Sequence, residues 1–125
     1  MTDNNKPITV QGIYACVAVA DFEAGVSWYA TLMGREPDDR PMPTLAQWRN
    51  MDRAGLQVWD DRERAGKSLV TIVVPVLATE RERLMAAGIT FSEEAEGDFG
   101  RVAKVHDPEG NQIALAEPPK GFTGR

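Results

Sequence analysis

The fold is decided by residues 17–34, VAVADFEAGVSWYATLMG, a short apolar alternation followed by a helical pattern. Asp21 is a favoured residue at a helix N-cap, and Gly34 is the residue most often found just past a helix C-terminus. Between them, apolar residues recur at steps of three and four, as on one face of a helix. These residues are Phe22, Val26, Tyr29, Leu32 and Met33. The stretch therefore predicts a strand that leads directly into an amphipathic helix.

A second strand and helix follow at an offset of 54 to 55 residues. The first β-rich run covers residues 8–19 and the second covers residues 68–76. The second helix is predicted to begin at Thr79, with Glu82 completing a capping box, and to end at Gly88.

Shorter strand-like segments come after each helix. Residues 35–43, with three prolines, predict a loop with a short edge strand. The other segments are residues 44–51 and 55–59 in the first half and residues 89–92, 101–105 and 111–117 in the second. The predicted order of elements is therefore β-α-β-β-β, and it occurs twice along the chain.

The turns support an internal repeat. Residues 52–58, DRAGLQV, match residues 107–113, DPEGNQI, as Asp-x-x-Gly-x-Gln-apolar. Asp and Gly are common in any β-turn, but here the helix ends agree as well, which favours the repeat. The prediction is one α+β domain over residues 1–125: module one at about 8–61, a linker at about 62–67, module two at about 68–117 and a tail at 118–125.

Composition excludes several classes of protein. The chain has 125 residues, of which 42% are apolar and 26% charged, as expected for one globular domain. A net charge of −5 argues against a nucleic-acid partner or an anionic membrane surface. A single cysteine, Cys16, suits a reducing cytoplasm, and no signal peptide or membrane span is expected. The single histidine, His106, leaves little for a His-rich metal site.

Alternation along the strands predicts two faces of different character. One face is β-branched or Leu and should pack under the helices; it includes Val17, Val58 and Leu115. The other mixes residues such as Cys16 and Trp59, and it either lines a cavity or is covered by a partner chain. Arg62, Arg64 and Lys67 are interpreted as a solvated linker, and Cys16 and His106 as structural residues.

Three segments carry a family resemblance. Residues 17–34 resemble the opening strand and helix of the glyoxalase, bleomycin-resistance and extradiol-dioxygenase superfamily, also called vicinal oxygen chelate. Residues 84–89 are similar to the end of its second helix, and residues 107–117 to its closing turn and strand. The resemblance implies two βαβββ modules curled into one barrel-like cleft, in a chain that usually forms a homodimer.

In metal-dependent members of that superfamily, four strand positions supply His, Glu or Gln to one divalent ion. The resemblance places these positions at Tyr14, Leu69, Ala114 and Trp59, or at Gln57 if the register shifts by two. Leu, Ala and Trp offer no donor for such an ion, and one Gln cannot hold it alone. The expectation is therefore no metal, no cofactor and neither glyoxalase I nor extradiol dioxygenase activity.

The expected function is a metal-free protein that binds a small molecule, because flat aromatic side chains favour a planar ligand. The model is sequestration of an aromatic or cationic antibiotic, with no catalytic residue assigned. The expected ligand-binding residues are Tyr14, Trp48, Gln57, Trp59, Leu69, Phe91, Phe99 and Ala114. The alternative is a lyase, isomerase or dioxygenase-like enzyme of the same superfamily with an atypical or absent metal site.

Overall fold

The computed structural model describes residues 7–121 and shows the β-α-β-β-β order twice. Module one consists of β1 (Ile13–Val19), α1 (Phe22–Met33), β2 (Asp39–Met42), β3 (Leu45–Met51) and β4 (Ala54–Asp60). Module two consists of β5 (Leu69–Val73), α2 (Leu77–Ala86), β6 (Ala95–Gly97), β7 (Gly100–His106) and β8 (Gln112–Glu117). The predicted α+β class is confirmed. Among the described residues, neither helix is long and apolar enough to cross a membrane.

Each module contributes one four-stranded mixed sheet. The first sheet has the order β1-β4-β3-β2 and the second the order β5-β8-β7-β6, so the two orders are equivalent. In each, the first strand pairs in parallel with the last, and the remaining pairs are antiparallel. The internal repeat is therefore confirmed at the level of topology, and the two sheets do not close into a barrel.

The first helix begins and ends where its sequence predicts. The Asp21 side chain accepts the backbone N–H of Ala24 at 3.3 Å, which satisfies a donor that the first helical turn leaves free. Gly34 has φ 76°, in the left-handed region that glycine adopts without strain. Its N–H donates to the carbonyl of Ala30 at 2.9 Å, which closes the last turn.

The core lies between the sheets and the helices. Val17 pairs with Val58 across β1 and β4, and both are fully buried. Ile113 and Leu115 occupy the equivalent face of β8 and are buried as well. We call the opposite surface of each sheet, away from its helix, the open face. This division confirms the two faces that strand alternation predicts.

The second helix starts earlier than predicted. It begins at Leu77 rather than Thr79. Its N-cap residue is Val76, whose side chain makes no capping hydrogen bond. Instead, Glu117 at the end of β8 accepts the N–H of Leu77 at 2.7 Å. The carboxylate also lies at the positive end of the helix dipole, so a residue remote in sequence replaces the capping box.

Two predicted strands are also corrected. The first strand begins at Ile13 rather than at residue 8. Residues 89–92 form no strand, because the N–H of Ile89 bonds to the Leu84 carbonyl at 3.0 Å and its side chain is buried in the core. That segment therefore completes the helix exit, and β6 forms at Ala95–Gly97 instead.

Candidate ligand site

The turn at residues 107–111 of module two holds the beginning of helix α1 in module one. The Glu109 carboxylate accepts the backbone N–H of Ala20 at 2.8 and 2.9 Å and that of Asp21 at 2.9 Å. Bonds from N–H groups to a carboxylate are stronger than neutral ones. Because the donors precede helix α1, the carboxylate also complements its dipole.

A buried polar cluster lies behind this turn. The Tyr29 hydroxyl donates to Asp107 Oδ2 at 2.8 Å, and Asn111 Nδ2 donates to the same oxygen at 2.7 Å. Asp107 and Asn111 are both buried, so these bonds offset the cost of desolvating the carboxylate. Burial, and then the Asp107 charge, raise the pKa of Tyr29 well above its ordinary value, so this hydroxyl stays protonated.

Asn111 also joins the first strands of the two modules. Its Nδ2 donates to the Ala18 carbonyl at 2.9 Å, and its Oδ1 accepts the N–H of Ser68 at 2.8 Å. Ser68 Oγ in turn accepts the N–H of Ala18 at 3.1 Å. The end of β1 and the start of β5 are thereby fixed side by side.

A pocket of about 490 Å³ opens at this junction, and we call it the seam pocket. Trp59 of β4 and Cys16 of β1 contribute from neighbouring strands of the open face, and Ser68 contributes from module two. The remaining lining residues are Val17, Ala18, Asp61, Arg64 and Lys67. A cavity of this volume falls in the range that small organic ligands occupy.

Hydrogen bonds fix the Trp59 ring. Its indole N–H donates to Gln57 Oε1 at 3.1 Å, and the Cys16 thiol donates to the same oxygen at 3.3 Å. Gln57 Nε2 donates onward to Gln47 Oε1 at 2.8 Å. Since the indole N–H is already bonded, the interaction left for a ligand at this residue is contact with the aromatic ring.

Charged groups form the rim of the seam pocket. Arg64 Nη1 lies 2.7 Å from Asp61 Oδ2, and the Arg64 backbone N–H bonds to Asp61 Oδ1 at 3.3 Å. The side-chain bond from Arg64, followed by the backbone bond, lowers the pKa of Asp61. Asp61 is therefore ionised and paired at neutral pH.

A larger groove of about 810 Å³ runs along the first turn of helix α1. Its polar lining includes Asp21, Glu23 and Glu109. Glu109 is already bonded to the backbone N–H groups of Ala20 and Asp21, so it serves to hold the modules together. The seam pocket, whose indole ring is free to contact a ligand, is the better candidate site.

Comparison with known proteins agrees with this architecture. The sequence profile of the glyoxalase-like domain matches residues 14–116, which is most of the chain. A glyoxalase/bleomycin resistance protein from Catenulispora acidiphila has 30% identity and a TM-score of 0.80, covering 89% of this chain and 100% of its own. The chain belongs to the glyoxalase/bleomycin resistance family. Among proteins of curated function, none matches this sequence.

Two further solved structures share the fold at lower identity. The antibiotic-binding protein TnmS3 from a Streptomyces species has 23% identity and a TM-score of 0.74, covering 90% of this chain and 97% of its own. The oxidase ChaP-H2 has 24% identity and a TM-score of 0.74, covering 94% of this chain and 100% of its own. The glyoxalase/bleomycin resistance fold therefore carries both binding and catalytic functions, and the site must decide between them.

The metal site of the metal-dependent family members does not fit this chain. The positions that the family resemblance implies for the metal ligands are Tyr14, Leu69, Ala114 and Trp59 or Gln57. Leu69 is 77% exposed and apolar, and the Gln57 amide is bonded to Trp59, Cys16 and Gln47. Within residues 7–121, no group of three His, Cys, Asp or Glu side chains could hold a metal ion. The donor set is therefore unsuited to a divalent cation.

The structure brings together only part of the expected ligand site. Trp59 lines the seam pocket and Gln57 supports it from behind. Tyr14 shares the open face but covers Gly55 and borders a separate depression next to Arg49. Leu69 and Ala114 lie on strands of module two outside the pocket lining. Their part in ligand binding stays a prediction.

The expectation that Trp48 lines the same cleft is wrong. Trp48 pairs with Leu56, which places it on the helix-facing side of the sheet, where it is fully buried. Its indole N–H donates to the Arg35 carbonyl at 2.9 Å. The two remaining aromatic residues are also distant from the pocket lining: Phe91 packs against the core, and Phe99 is exposed in the β6–β7 turn.

Sequence reasoning missed the linker side of the site. Arg64 and Lys67 line the seam pocket, although their sequence suggested only a solvated linker, and Asp61, the last residue predicted for module one, lines it as well. The available signal was their position, because a linker between two modules necessarily passes their junction. Ser68 was also missed, since its role depends on Asn111, which is 43 residues further along the chain.

Proposed function

We propose that this protein binds a small aromatic molecule in the seam pocket without the help of a metal ion. The proposal rests on the position of Trp59. Its indole N–H is bonded to Gln57, and its ring lies in a pocket that Cys16 and Ser68 also line. An aromatic ligand gains from burial against such a ring and from stacking on it. The residues at the family's metal positions supply no competing chemistry.

Antibiotic sequestration is the model for the biological role. TnmS3, a protein described as antibiotic-binding, has the same fold. Sequestration requires only affinity, which suits a pocket in which we assign no catalytic residue. The expectation of a cationic drug followed from the net charge of −5, whereas the pocket itself contains both Arg64 and Lys67.

The functional test is binding of planar aromatic compounds by isothermal titration calorimetry. Trp59→Ala should weaken binding by roughly 1–3 kcal/mol through lost burial and stacking. Tyr14→Ala is the matched control, because it removes another aromatic side chain from the open face but outside the seam pocket. Equal losses in both variants, or no binding by the wild type, would contradict the proposal.

The single cysteine provides an independent measurement. Cys16 is exposed and lines the pocket, so a bound ligand should slow its reaction with a thiol reagent. A Trp59→Ala variant should lose that protection. If a compound binds but leaves the rate of Cys16 labelling unchanged, it binds elsewhere.

Metal content distinguishes the binding function from the enzymatic alternative. Protein purified without an affinity tag should contain less than about 0.1 equivalent of Zn, Ni, Co, Mn or Fe, because the four positions lack ligands. Near-stoichiometric metal, together with an activity that a chelator abolishes, would instead favour a lyase, isomerase or dioxygenase-like enzyme.

The protein is further proposed to act as a homodimer. Leu69 and Val73 of β5 are 77% and 67% exposed on the open face of the second sheet. Exposed apolar side chains on an edge strand favour contact with another chain, and a two-fold dimer would cover them. Light scattering should report a dimer at micromolar concentration, and a monomer would contradict this arrangement.

A further inference from the structure

The seam pocket has an excess of positive charge. Asp61 is its one acidic lining residue, and Arg64 balances it at 2.7 Å. Lys67 lies on the same rim, and within residues 7–121 its ammonium group has no hydrogen bond or ion pair. The lining therefore carries one more positive than negative charge, in a protein whose net charge is −5. Asp61 first and then Glu63 raise the pKa of Arg64, and Glu63 lies outside the lining.

The hydrogen-bonding groups of the pocket also favour an anion, because those left free are donors. Gln57 Oε1, the amide oxygen beside the pocket, is taken by Trp59 and Cys16. Ser68 Oγ accepts the N–H of Ala18, which leaves the hydroxyl proton free to be donated. The Ser68 hydroxyl and the Lys67 ammonium group can therefore donate hydrogen bonds to a ligand. The side-chain hydrogen-bond acceptors of the pocket are already engaged.

We propose that the ligand of the seam pocket is an aromatic anion, such as an aromatic carboxylate or phenolate. Its ring lies on Trp59, its anionic oxygen lies against the Lys67 ammonium, and the Ser68 hydroxyl donates a second bond. This inference rests on the proposed binding function and adds the charge of the ligand. It reverses the expectation of a cation, because the local charge at a site governs recognition more directly than the net charge of the protein.

Three probes that share a naphthyl ring test the sign of the charge. They are 2-naphthoate, 2-naphthamide and 2-naphthylmethylammonium, titrated calorimetrically at pH 7.5 in low and high salt. The naphthoate should bind about two- to fivefold more tightly than the neutral amide, the range expected for an exposed ion pair. The ammonium probe should bind most weakly. The advantage of the naphthoate should shrink as salt screens the charge.

Two lysine variants identify the group responsible. Lys67→Gln should reduce the affinity for naphthoate about two- to fivefold, to near that for naphthamide, and should weaken naphthamide binding by less, because the amide carries no charge. Lys104→Gln is the matched control, because Lys104 is an exposed lysine of β7 outside the seam pocket. It should change neither affinity.

The outcomes separate the two levels of the proposal. The proposal of an anionic ligand is overturned if the protein prefers the ammonium probe, or if the Lys67→Gln variant retains the preference for naphthoate. In either case, binding that depends on Trp59 would still support the proposed function. Failure of all three probes to bind overturns the proposed function, and this inference with it.

Discussion

Trp48 and Trp59 offer a direct test of the two sheet faces, because they lie on neighbouring strands and point to opposite sides. Trp48 is fully buried among core residues, whereas Trp59 is half-buried at the seam pocket. A tryptophan side chain buries about 150–250 Å² when enclosed, which corresponds to about 4–6 kcal/mol at 25 cal/mol per Å².

Replacement by alanine should therefore have unequal effects on the free energy of unfolding. Trp48→Ala loses the full area and the bond to the Arg35 carbonyl, and should cost at least about 3–5 kcal/mol. Trp59→Ala should cost roughly 1–2 kcal/mol, because part of its ring already borders solvent and no closed cavity remains.

Urea unfolding followed by far-UV circular dichroism measures both values without relying on tryptophan fluorescence. If Trp48→Ala does not fold, Trp48→Phe and Trp59→Phe provide the same comparison at smaller amplitude. Unfolding free energies that fall equally in the Trp48 and Trp59 variants would refute the reasoning, and Trp59 would then be a core residue rather than part of a ligand site.

Three further predictions concern contacts between the modules. Glu109→Gln should lower the unfolding free energy by about 1–2 kcal/mol in urea titrations, because its charge-assisted bonds weaken, whereas Glu82→Gln, on the exposed surface of α2, should stay within about 0.5 kcal/mol. Arg83→Met removes two hydrogen bonds to carbonyls at the C-terminus of α1, so it should lower the unfolding free energy by about 1 kcal/mol, measured as a decrease in the midpoint of thermal unfolding. Tyr29→Phe should cost about 1.5–3 kcal/mol at pH 7, since the hydroxyl bonds a buried carboxylate. Because its folded-state pKa is raised, the Tyr29 contribution is complete below about pH 10 and declines above it, so alkaline titration of stability should be steeper in the wild type than in the variant.

The parts of the fold that sequence predicts are those set by local chemistry. Helix α1 is one such part, because its cap and its terminal glycine lie within the segment itself. The start of helix α2 is not, since the group that bonds Leu77 is Glu117, 40 residues away. No rule based on neighbouring residues could identify that carboxylate.

The residues of the candidate site also fall into those that the sequence could place and those that it could not. Strand alternation correctly placed Cys16 and Trp59 on one face, because β1 and β4 pair in continuous register. Trp48 could not be placed by counting, since the β3–β4 register shifts between Trp48 and Met51 and the backbone has positive φ at Asn50 near the end of β3 and at Asp52 and Arg53 in the turn. Local irregularity of that kind reverses the apparent face of a side chain.

The division of labour between the two faces explains how one fold can carry several functions. The buried amide of Asn111 holds β1 and β5 together through Ala18 and Ser68, and the side chains of Trp59 and Lys67 take no part in that bonding. Lys67, which is exposed, can therefore change with little loss of stability, and the half-buried Trp59 can change at a smaller cost than the fully buried Trp48. The pocket stays at the seam because the structural bonds beside it fix its walls, while its ligand is set by residues on which the core does not depend. The same fold is found in a protein described as antibiotic-binding and in one described as an oxidase, as expected where the residues at the site can change without changing the residues that hold the strands together.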